Sequence, residues 1–462
     1  MNEMYTPDEP VAAIATALSP AALGIVRTSG KGCIELVAKV FSRPEALLKA
    51  AGNTIVYGWM TDGDRRIDEV LVSVFRAPKS FTGEDMAEIS CHGGPAVVTA
   101  VHNLLLAHGF RQAQRGEFTF RAYINGKTDL TKAEAVREII DSHTDASRGR
   151  AAGRLAGSLY AEIDEIKKLI TDTLASIEVE VEYPEDEETI ANTFDRADIE
   201  RAVERLQMLA DSWKGEKLYQ DGARAVLCGR TNAGKSSLFN AILKEDRAIV
   251  SDIAGTTRDW LESWASFDGI PVRLFDTAGL RETSDKIEQQ GVELTRSLTK
   301  DADVVIYLAD STCGFTADDE SFLASCEEPV MFVWNKCDSA SVHQSLSEEQ
   351  KKQIKNLRGE VHVSAKNGSG IADLLAAVKN LLVGGAPTER IQAGLGSARQ
   401  KTSVEEALES VKHSLVSADD NYTLDAVVQD LEDALSSLGE VTGEVTPDDV
   451  LGSIFSHFCV GK

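Results

Sequence analysis

The sequence predicts a multidomain fold joining α/β and all-α parts: a mixed α/β amino-terminal domain, a discontinuous helical domain, and an α/β domain inserted into the helical one. Three observations predict it. At 462 residues the chain is long for one hydrophobic core, which points to roughly two to four domains. Residues 219–384 alternate short apolar runs with helical stretches, as a parallel sheet covered by helices demands. Apolar stripes at helical spacing flank that unit on both sides. Insertion is then the economical arrangement, because domain termini tend to lie close together.

Residues 1–125 are expected to form the amino-terminal domain. Val11–Ala15 and Leu23–Val26 read as strands, Ile34–Phe41 as a helix, and Ile67–Phe75 alternates as a strand does. Gly93 and Gly94 mark a tight turn into a helix starting near Pro95. Arg115–Lys127 is rich in charged and aromatic residues, and by composition reads as a solvated surface with satisfied ion pairs. Residues 126–218 read as the first part of the helical domain. Leu130, Ala133, Val136, Ile139 and Ile140 recur at helical spacing, and Leu159, Ile163, Ile166, Ile170 and Leu174 form a second stripe. The acidic run 178–188 reads as a solvated face or loop, with Pro184 ending any helix there.

In residues 219–384 the expected strands are Ala225–Cys228, Trp260–Ser266, Val272–Phe275, Val304–Leu308, Val330–Trp334 and Val361–Val363. Asp268-Gly269 predicts a hairpin, which makes 260–266 antiparallel to the strand that follows. Residues 385–462 return to helix as the second part of the helical domain. Leu424, Val427, Val428, Leu431, Leu435 and Leu438 form one stripe, and Thr446 and Pro447 are expected as N-cap and first residue of a last helix.

Composition narrows the function classes. With 43% hydrophobic and 26% charged residues, the chain reads as an ordinary soluble protein. It contains no run of 18 apolar residues, so neither a membrane-spanning helix nor a membrane partner is expected. Met1–Pro10 is acidic and lacks the basic start of a signal peptide, so a cytoplasmic location is expected. Seven scattered cysteines with no C-x-x-C pair point to reduced thiols rather than zinc ligands or disulfides. A formal net charge of −26 excludes wrapping nucleic acid by bulk electrostatics; any RNA contact needs a local basic patch or a basic partner.

The most informative stretch is Gly229–Ser236, G-R-T-N-A-G-K-S, which matches the phosphate-binding pattern G-x-x-x-x-G-K-[ST]. Arg224–Cys228 before it suits a buried strand, and Leu238, Ile242 and Leu243 after it share one helical face. Strand, glycine loop and helix form the context in which the motif cradles phosphates. Asn232, Ala233, Gly234 and Ser237 belong to that cradle, Lys235 is expected at the β/γ-phosphates, and Ser236 on Mg²⁺.

Four further signals follow in order. Ser251–Asp259 supplies a loop in which Ser251, Asp252, Ile253, Ala254, Gly255, Thr256 and Thr257 border the nucleotide and a threonine hydroxyl completes the Mg²⁺ shell. Asp276-Thr277-Ala278-Gly279 ends a strand; Asp276 can hold a Mg²⁺-bound water, and the Gly279 N–H can meet the γ-phosphate. Asn335-Lys336-Cys337-Asp338 ends another, and the Asp338 carboxylate suits the N1–H and N2–H₂ donors of guanine. Adenine has no such donor pair, so the motif selects GTP over ATP. Ser364-Ala365-Lys366 follows a further strand and supports the base. Each motif is weak alone; five in order at domain-compatible spacing read as a Ras-like P-loop GTPase domain.

Two departures stand out. Ras-like enzymes place a glutamine after D-x-x-G to orient the attacking water; here that position is Leu280, and Glu282, Asp285 and Glu288 are the nearby candidates. Asn232 within the loop either makes a local turn bond or ligates a monovalent cation that does the work of an arginine finger, with Arg258 as its rival.

From end to end the chain resembles the MnmE (TrmE) family of tRNA-modification GTPases. The resemblance rests on Gly24–Arg27, Thr82–Asp85 with His92–Gly94, Gly116–Phe118, Asn125–Lys127 running into Leu130–Val136, Gly255–Asp259, and the C-x-G-K of Cys459–Lys462. It implies a folate-binding, dimerising amino-terminal domain, a discontinuous helical domain and an inserted GTPase domain. It further implies a homodimer that works with the FAD-dependent partner MnmG on the C5 position of the wobble uridine of tRNA. The implied product is a (carboxymethyl)aminomethyl group, and the one-carbon donor a tetrahydrofolate derivative, 5-formyl or 5,10-methylene. By motif match, Arg27, Glu88, Lys127 and Lys462 contact the folate, which overrides the solvated-surface reading for Lys127.

The resemblance also implies hydrolysis activated by K⁺, with Asn232, Ser251, the Ile253 carbonyl and Thr256 as ligands, Ser236 and Thr257 on Mg²⁺, and Glu288 orienting the water. Ser251 stands where family members can carry threonine, and serine keeps the oxygen; Thr231 stands where proline is common. Cys459 has two readings, a catalytic thiol or a small buried apolar residue. The acidic net charge fits a basic MnmG surface that carries most of the tRNA, with Arg148, Arg150 and Arg154 as the best basic patch on this chain. The competing readings are a ribosome-assembly GTPase of the Era or Der type, and a mechanical GTPase whose domains dimerise without substrate chemistry. The first carries an RNA-binding appendage after its GTPase domain, where this chain has acidic amphipathic helices and C-x-G-K.

Overall fold

A computed structural model describes residues 9–182, 194–245, 261–277, 298–339, 344–384, 393–419 and 424–462. In chain order the elements are β1 (Val11–Ile14), β2 (Leu23–Ser29), α1 (Cys33–Lys39), α2 (Pro44–Leu48), β3 (Thr54–Asp62), β4 (Arg65–Phe75), β5 (Met86–His92), α3 (Pro95–Ala107), β6 (Arg111–Gln112), α4 (Glu117–Ile124) and α5 (Leu130–Asp141). Then follow α6 (Asp145–Leu155), α7 (Ser158–Glu182), α8 (Arg196–Asp221), β7 (Ala223–Gly229), α9 (Lys235–Glu245), β8 (Leu261–Phe267), β9 (Ile270–Asp276) and β10 (Val304–Asp310). The last are α10 (Ala317–Ser325), β11 (Val330–Asn335), α11 (Glu348–Gln353), β12 (Leu357–His362), α12 (Ile371–Val383), α13 (Ala398–Asp419), α14 (Leu424–Thr442) and α15 (Asp448–Ser456). The chain divides into two units: Met1–Arg137 with Tyr160–Glu204 and Thr402–Lys462, and Glu138–Leu159 with Arg205–Lys401.

The first unit holds a six-stranded sheet in the order β3-β4-β5-β2-β1-β6, antiparallel except where β1 pairs with β6. Its core joins Ile34 and Val37 of α1, Val101 and Leu105 of α3, and Val72 and Ile89 of the sheet. Each such buried aliphatic side chain contributes about 1.5–3 kcal/mol. Arg115–Lys127 departs from the solvated surface expected of it. Its α4 buries Glu117, Phe118 and Arg121, and Arg121 bonds Glu117 and Glu84. The ion pairs are there, but inside, because Phe118 and Ala122 on the same helix turn that face inward. After α15, Gly116 N–H donates to the Cys459 carbonyl (3.4 Å) and Phe118 N–H to the Lys462 carbonyl (3.2 Å). Phe455 and Phe458 pack with Leu130 and Ala133 beneath that tail. The last helix starts at Asp448 with Pro447 as its cap, one residue later than a Thr446 cap would set it, because extended Pro447 (ψ 145°) supplies the first accepting carbonyl.

The second unit holds a sheet in the order β12-β11-β10-β7-β9-β8, parallel except at the β8–β9 hairpin. The Asp268-Gly269 turn is as expected, both residues having positive φ. One face is covered by Leu238 and Ile242 of α9 with Leu374 and Val378 of α12, the other by Leu323 of α10 against Val305, Phe332 and Trp334. Such a sheet gathers its binding loops at the carboxyl ends of its parallel strands. The turn into α6 belongs to this unit: Thr144 Oγ1 donates to the Gly269 carbonyl (2.8 Å), Ser147 Oγ to the Tyr219 carbonyl (2.6 Å), and His143 stacks on Trp264.

Candidate nucleotide and folate sites

Gly229–Ser236 links the end of β7 to the start of α9, the strand-loop-helix context its sequence required. Asn232 sits at φ 64°, in the left-handed region that asparagine enters more readily than most residues. Lys235 is buried, and its ammonium donates to the Gly229 and Arg230 carbonyls, both at 2.9 Å. Ser236 Oγ donates to Asp276 Oδ2 at 2.7 Å. Asp276 is fully buried at the end of β9, which pairs with β7. A hydroxyl from the first turn of α9 and a carboxylate from the end of β9 thus converge, and a set of hard oxygens beside a phosphate loop fits Mg²⁺. Thr277 Oγ1 donates to the Leu227 carbonyl (2.8 Å), tying this corner to the central strand.

At the base end, buried Asn335 donates from Nδ2 to the Ala233 carbonyl (2.8 Å) and accepts from Ala365 N–H at Oδ1 (3.0 Å). One side chain therefore joins the phosphate loop, N-K-C-D and S-A-K. Asp338 Oδ1 accepts from Ser364 Oγ at 2.7 Å. That bond, ahead of all other causes, holds the Asp338 carboxyl below its ordinary value and keeps it an acceptor. A cleft of about 580 Å³ opens here, lined by Gly234, Ser237, Lys336, Asp338, Ala365 and Lys366 among others. Ser251, Asp252, Ile253, Ala254, Gly255, Thr256, Thr257, Ala278, Gly279 and Glu288 lie outside the described residues, as do Arg258, Leu280, Glu282 and Asp285.

In the first unit Arg27 and Glu88 face each other across the β2–β5 register. Arg27 Nε and Nη2 lie 2.8 and 2.7 Å from Glu88 Oε1, and Arg27 Nη1 donates to the Gly461 carbonyl at 3.2 Å. The guanidinium also lies over the rings of Phe81 and Phe118. Burial, then the neighbouring Arg27, lowers the pKa of the Lys462 ammonium, and Glu88 opposes them. Arg27, Glu88 and Lys462 are thus brought together: two cations and one carboxylate beside the exposed Phe81 ring, a donor set that fits an aromatic, polyanionic ligand such as a folate. Lys127 is exposed and donates to the Pro78 carbonyl (3.0 Å). Cys459 is exposed, so the buried-apolar reading of that thiol does not hold.

The basic patch does not form. Arg154 is buried between Glu138 and Glu216, with its Nη1 2.8 Å from Glu216 Oε2; Arg150 pairs with the same Glu216, and Arg148 pairs with Asp145. Residue type alone makes these arginines look like a surface; Arg148 pairs within its own helix, and the carboxylates that claim Arg150 and Arg154 come from elsewhere in the sequence.

Two family descriptions match the chain: the MnmE helical domain over residues 130–459, and the GTP-binding protein TrmE N-terminus over residues 10–127. The tRNA modification GTPase MnmE of Treponema denticola is 50% identical to this chain over 473 residues, covering 99% of each. That of Borrelia turicatae is 39% identical over 467 residues, covering 100% of each. This chain belongs to the MnmE family of tRNA modification GTPases. MnmE membership spans both units, and the fold class is the one the sequence predicts: mixed α/β, helical, and P-loop GTPase. No helix among the described residues is long and apolar enough to cross a membrane. Relatives that share the MnmE name over their whole length leave no part of this chain outside the family match.

Proposed function

We propose that the chain couples GTP hydrolysis to modification of tRNA at C5 of the wobble uridine, adding a (carboxymethyl)aminomethyl group from a tetrahydrofolate one-carbon donor. In this reading it acts in the cytoplasm as a homodimer with the FAD-dependent MnmG, which supplies most of the tRNA-binding surface. The observation that carries the reading is the presence in one chain of two built sites: the phosphate loop joined through Asn335 to a guanine-type cleft, and Arg27, Glu88 and Lys462 clustered beside Phe81.

At the nucleotide, Lys235 leaves the loop carbonyls for the β/γ-phosphates, the loop N–H groups hold the phosphate oxygens, and Asp338 accepts from the guanine N1–H and N2–H₂. Ser236 and Thr257 hold Mg²⁺, and Asn232, Ser251, the Ile253 carbonyl and Thr256 hold K⁺. When bound, the two cations supply positive charge against the charge that develops on the transferring phosphoryl group. Glu288 orients the attacking water, the task Leu280 cannot perform. At the second site, Arg27, Lys127 and Lys462 bind carboxylates of the folate tail and Glu88 accepts from pterin donors. Cys459 is exposed beside that site as a candidate thiol.

The deciding experiment is calorimetry with 5-formyl-tetrahydrofolate. Wild type should bind it, and Arg27→Ala at least about tenfold more weakly; no heat from wild type overturns the modification reading. Replacing K⁺ by Na⁺ should slow GTP turnover, and an unchanged rate removes the cation role of Asn232. Glu288→Ala should bind GTP yet hydrolyse it slowly; near wild-type turnover assigns the water to another group.

A further inference from the structure

The base end of the cleft is braced by a segment that none of the nucleotide motifs includes. β10 ends at Asp310, which pairs in register with Asn335, the first residue of N-K-C-D. Ser311 N–H donates to the Asn335 carbonyl at 2.9 Å. Lys336, next in the motif, holds its backbone at φ 62°, a region that long side chains seldom enter. Its ammonium lies 2.7 Å from Asp310 Oδ2. The other carboxylate oxygen, Oδ1, accepts from Thr312 N–H (2.9 Å) and Thr312 Oγ1 (2.6 Å). Asp310 is therefore fixed from behind by its own turn, and it fixes in turn a lysine that lines the cleft. Burial pushes the Asp310 carboxyl up, but the bonds from Lys336 and Thr312 outweigh it and leave the group lowered, so the anchor stays charged.

We propose that Asp310 is a positioning residue for guanine-nucleotide binding: anchored by Thr312, it holds Lys336 in place as a wall of the base cleft and so lengthens nucleotide residence. The proposal rests on the reading of this cleft as a GTP site. Its physical basis is preorganisation. A lysine stem has four rotatable carbons and loses that freedom when a ligand orders it. A stem already held by Asp310 loses less, and the difference appears as slower release.

The test uses the full chain and a fluorescent GDP analogue, with Asp310→Asn, Lys336→Met and the double variant. Asp310→Asn should release GDP about tenfold faster than wild type. Binding of inorganic tripolyphosphate, which reaches only the phosphate loop, should be unchanged. The Asp310→Asn effect should vanish in the Lys336→Met background, which a role in general loop stability would not produce. Release within about twofold of wild type, or an undiminished effect in the Lys336→Met background, overturns the proposal. If Asp310→Asn fails to fold, Thr312→Val removes only the hydroxyl bond and should speed release about threefold; no change there overturns it equally. Wild type that binds tripolyphosphate but no GDP overturns the cleft reading itself, an outcome distinct from a failure of Asp310 alone.

Discussion

Gly234→Ala tests the junction between phosphate and base recognition. Gly234 sits at φ 99°, and a Cβ there would lie 2.2 Å from Nδ2 of Asn335. The side chain is thus excluded twice. Left-handed backbone costs an L-residue about 1–2 kcal/mol. The overlap forces the Asn335 amide aside and breaks its bond to the Ala233 carbonyl, a net loss of about 1 kcal/mol, with a similar loss at Ala365 N–H if the amide turns. Together these come to about 3–4 kcal/mol against the binding-ready loop, which lowers nucleotide affinity by roughly two to three orders of magnitude. Equilibrium titration with a fluorescent GDP analogue reads this directly, and thermal melting serves as the control. The melt should move far less than the affinity, because a loop without nucleotide can relax locally. Affinity within about threefold of wild type refutes the reasoning, since it would mean that Asn335 does not couple the two halves of the site.

Glu216→Gln removes the carboxylate that buried Arg154 and half-buried Arg150 share, and of the two only Arg154 also pairs with Glu138. It should lower stability by about 3–5 kcal/mol, seen as a fall in the urea midpoint; an unchanged midpoint refutes the role of this cluster. Asp338 is held below its ordinary 3.8, first by Ser364. A depressed carboxyl keeps its function above that range and loses it only as pH falls through the lowered value. Ser364→Ala should therefore move the acid loss of GDP affinity to higher pH, and superimposable pH profiles would sink the idea. Gly116 has φ 69°, and a Cβ there would lie 2.6 Å from the Phe455 carbonyl oxygen. Gly116→Ala should weaken 5-formyl-tetrahydrofolate binding by loosening the tail while leaving GDP affinity intact; equal folate heats in variant and wild type count against the tail as part of that site.

The GTPase sheet was largely legible because its signals are local. A phosphate loop needs its glycines, lysine and serine in one run, and the strands around it are apolar on both faces. The same locality explains the failures. β3 is absent from the expected strands because Ile55, Tyr57 and Trp59 make its outer face as apolar as Val56 and Met60 make its inner one, erasing the alternation. Arg150 and Arg154 looked like a patch because Glu216 lies more than 60 residues away. The Asp310 anchor is not legible in the sequence for a related reason: its partner Lys336 is 26 residues further on, and no motif links them. Arg27 and Lys462 entered only through family resemblance, since nothing in either neighbourhood announces the other.

The bond from Arg27 to the Gly461 carbonyl spans 434 residues. A ribosome adding about 5–20 residues per second needs roughly 20–90 s to cover that span. Through that interval Arg27 is an emerging cation whose final neighbour does not yet exist. Its cross-strand partner Glu88 arrives after only 61 residues, so the pair can neutralise each other while the rest is made. Everything that forms the GTPase sheet is synthesised in between. The pocket around Arg27 therefore closes only on a chain whose nucleotide machinery has already been translated, and a product cut short in the GTPase unit carries an amino-terminal domain without this wall.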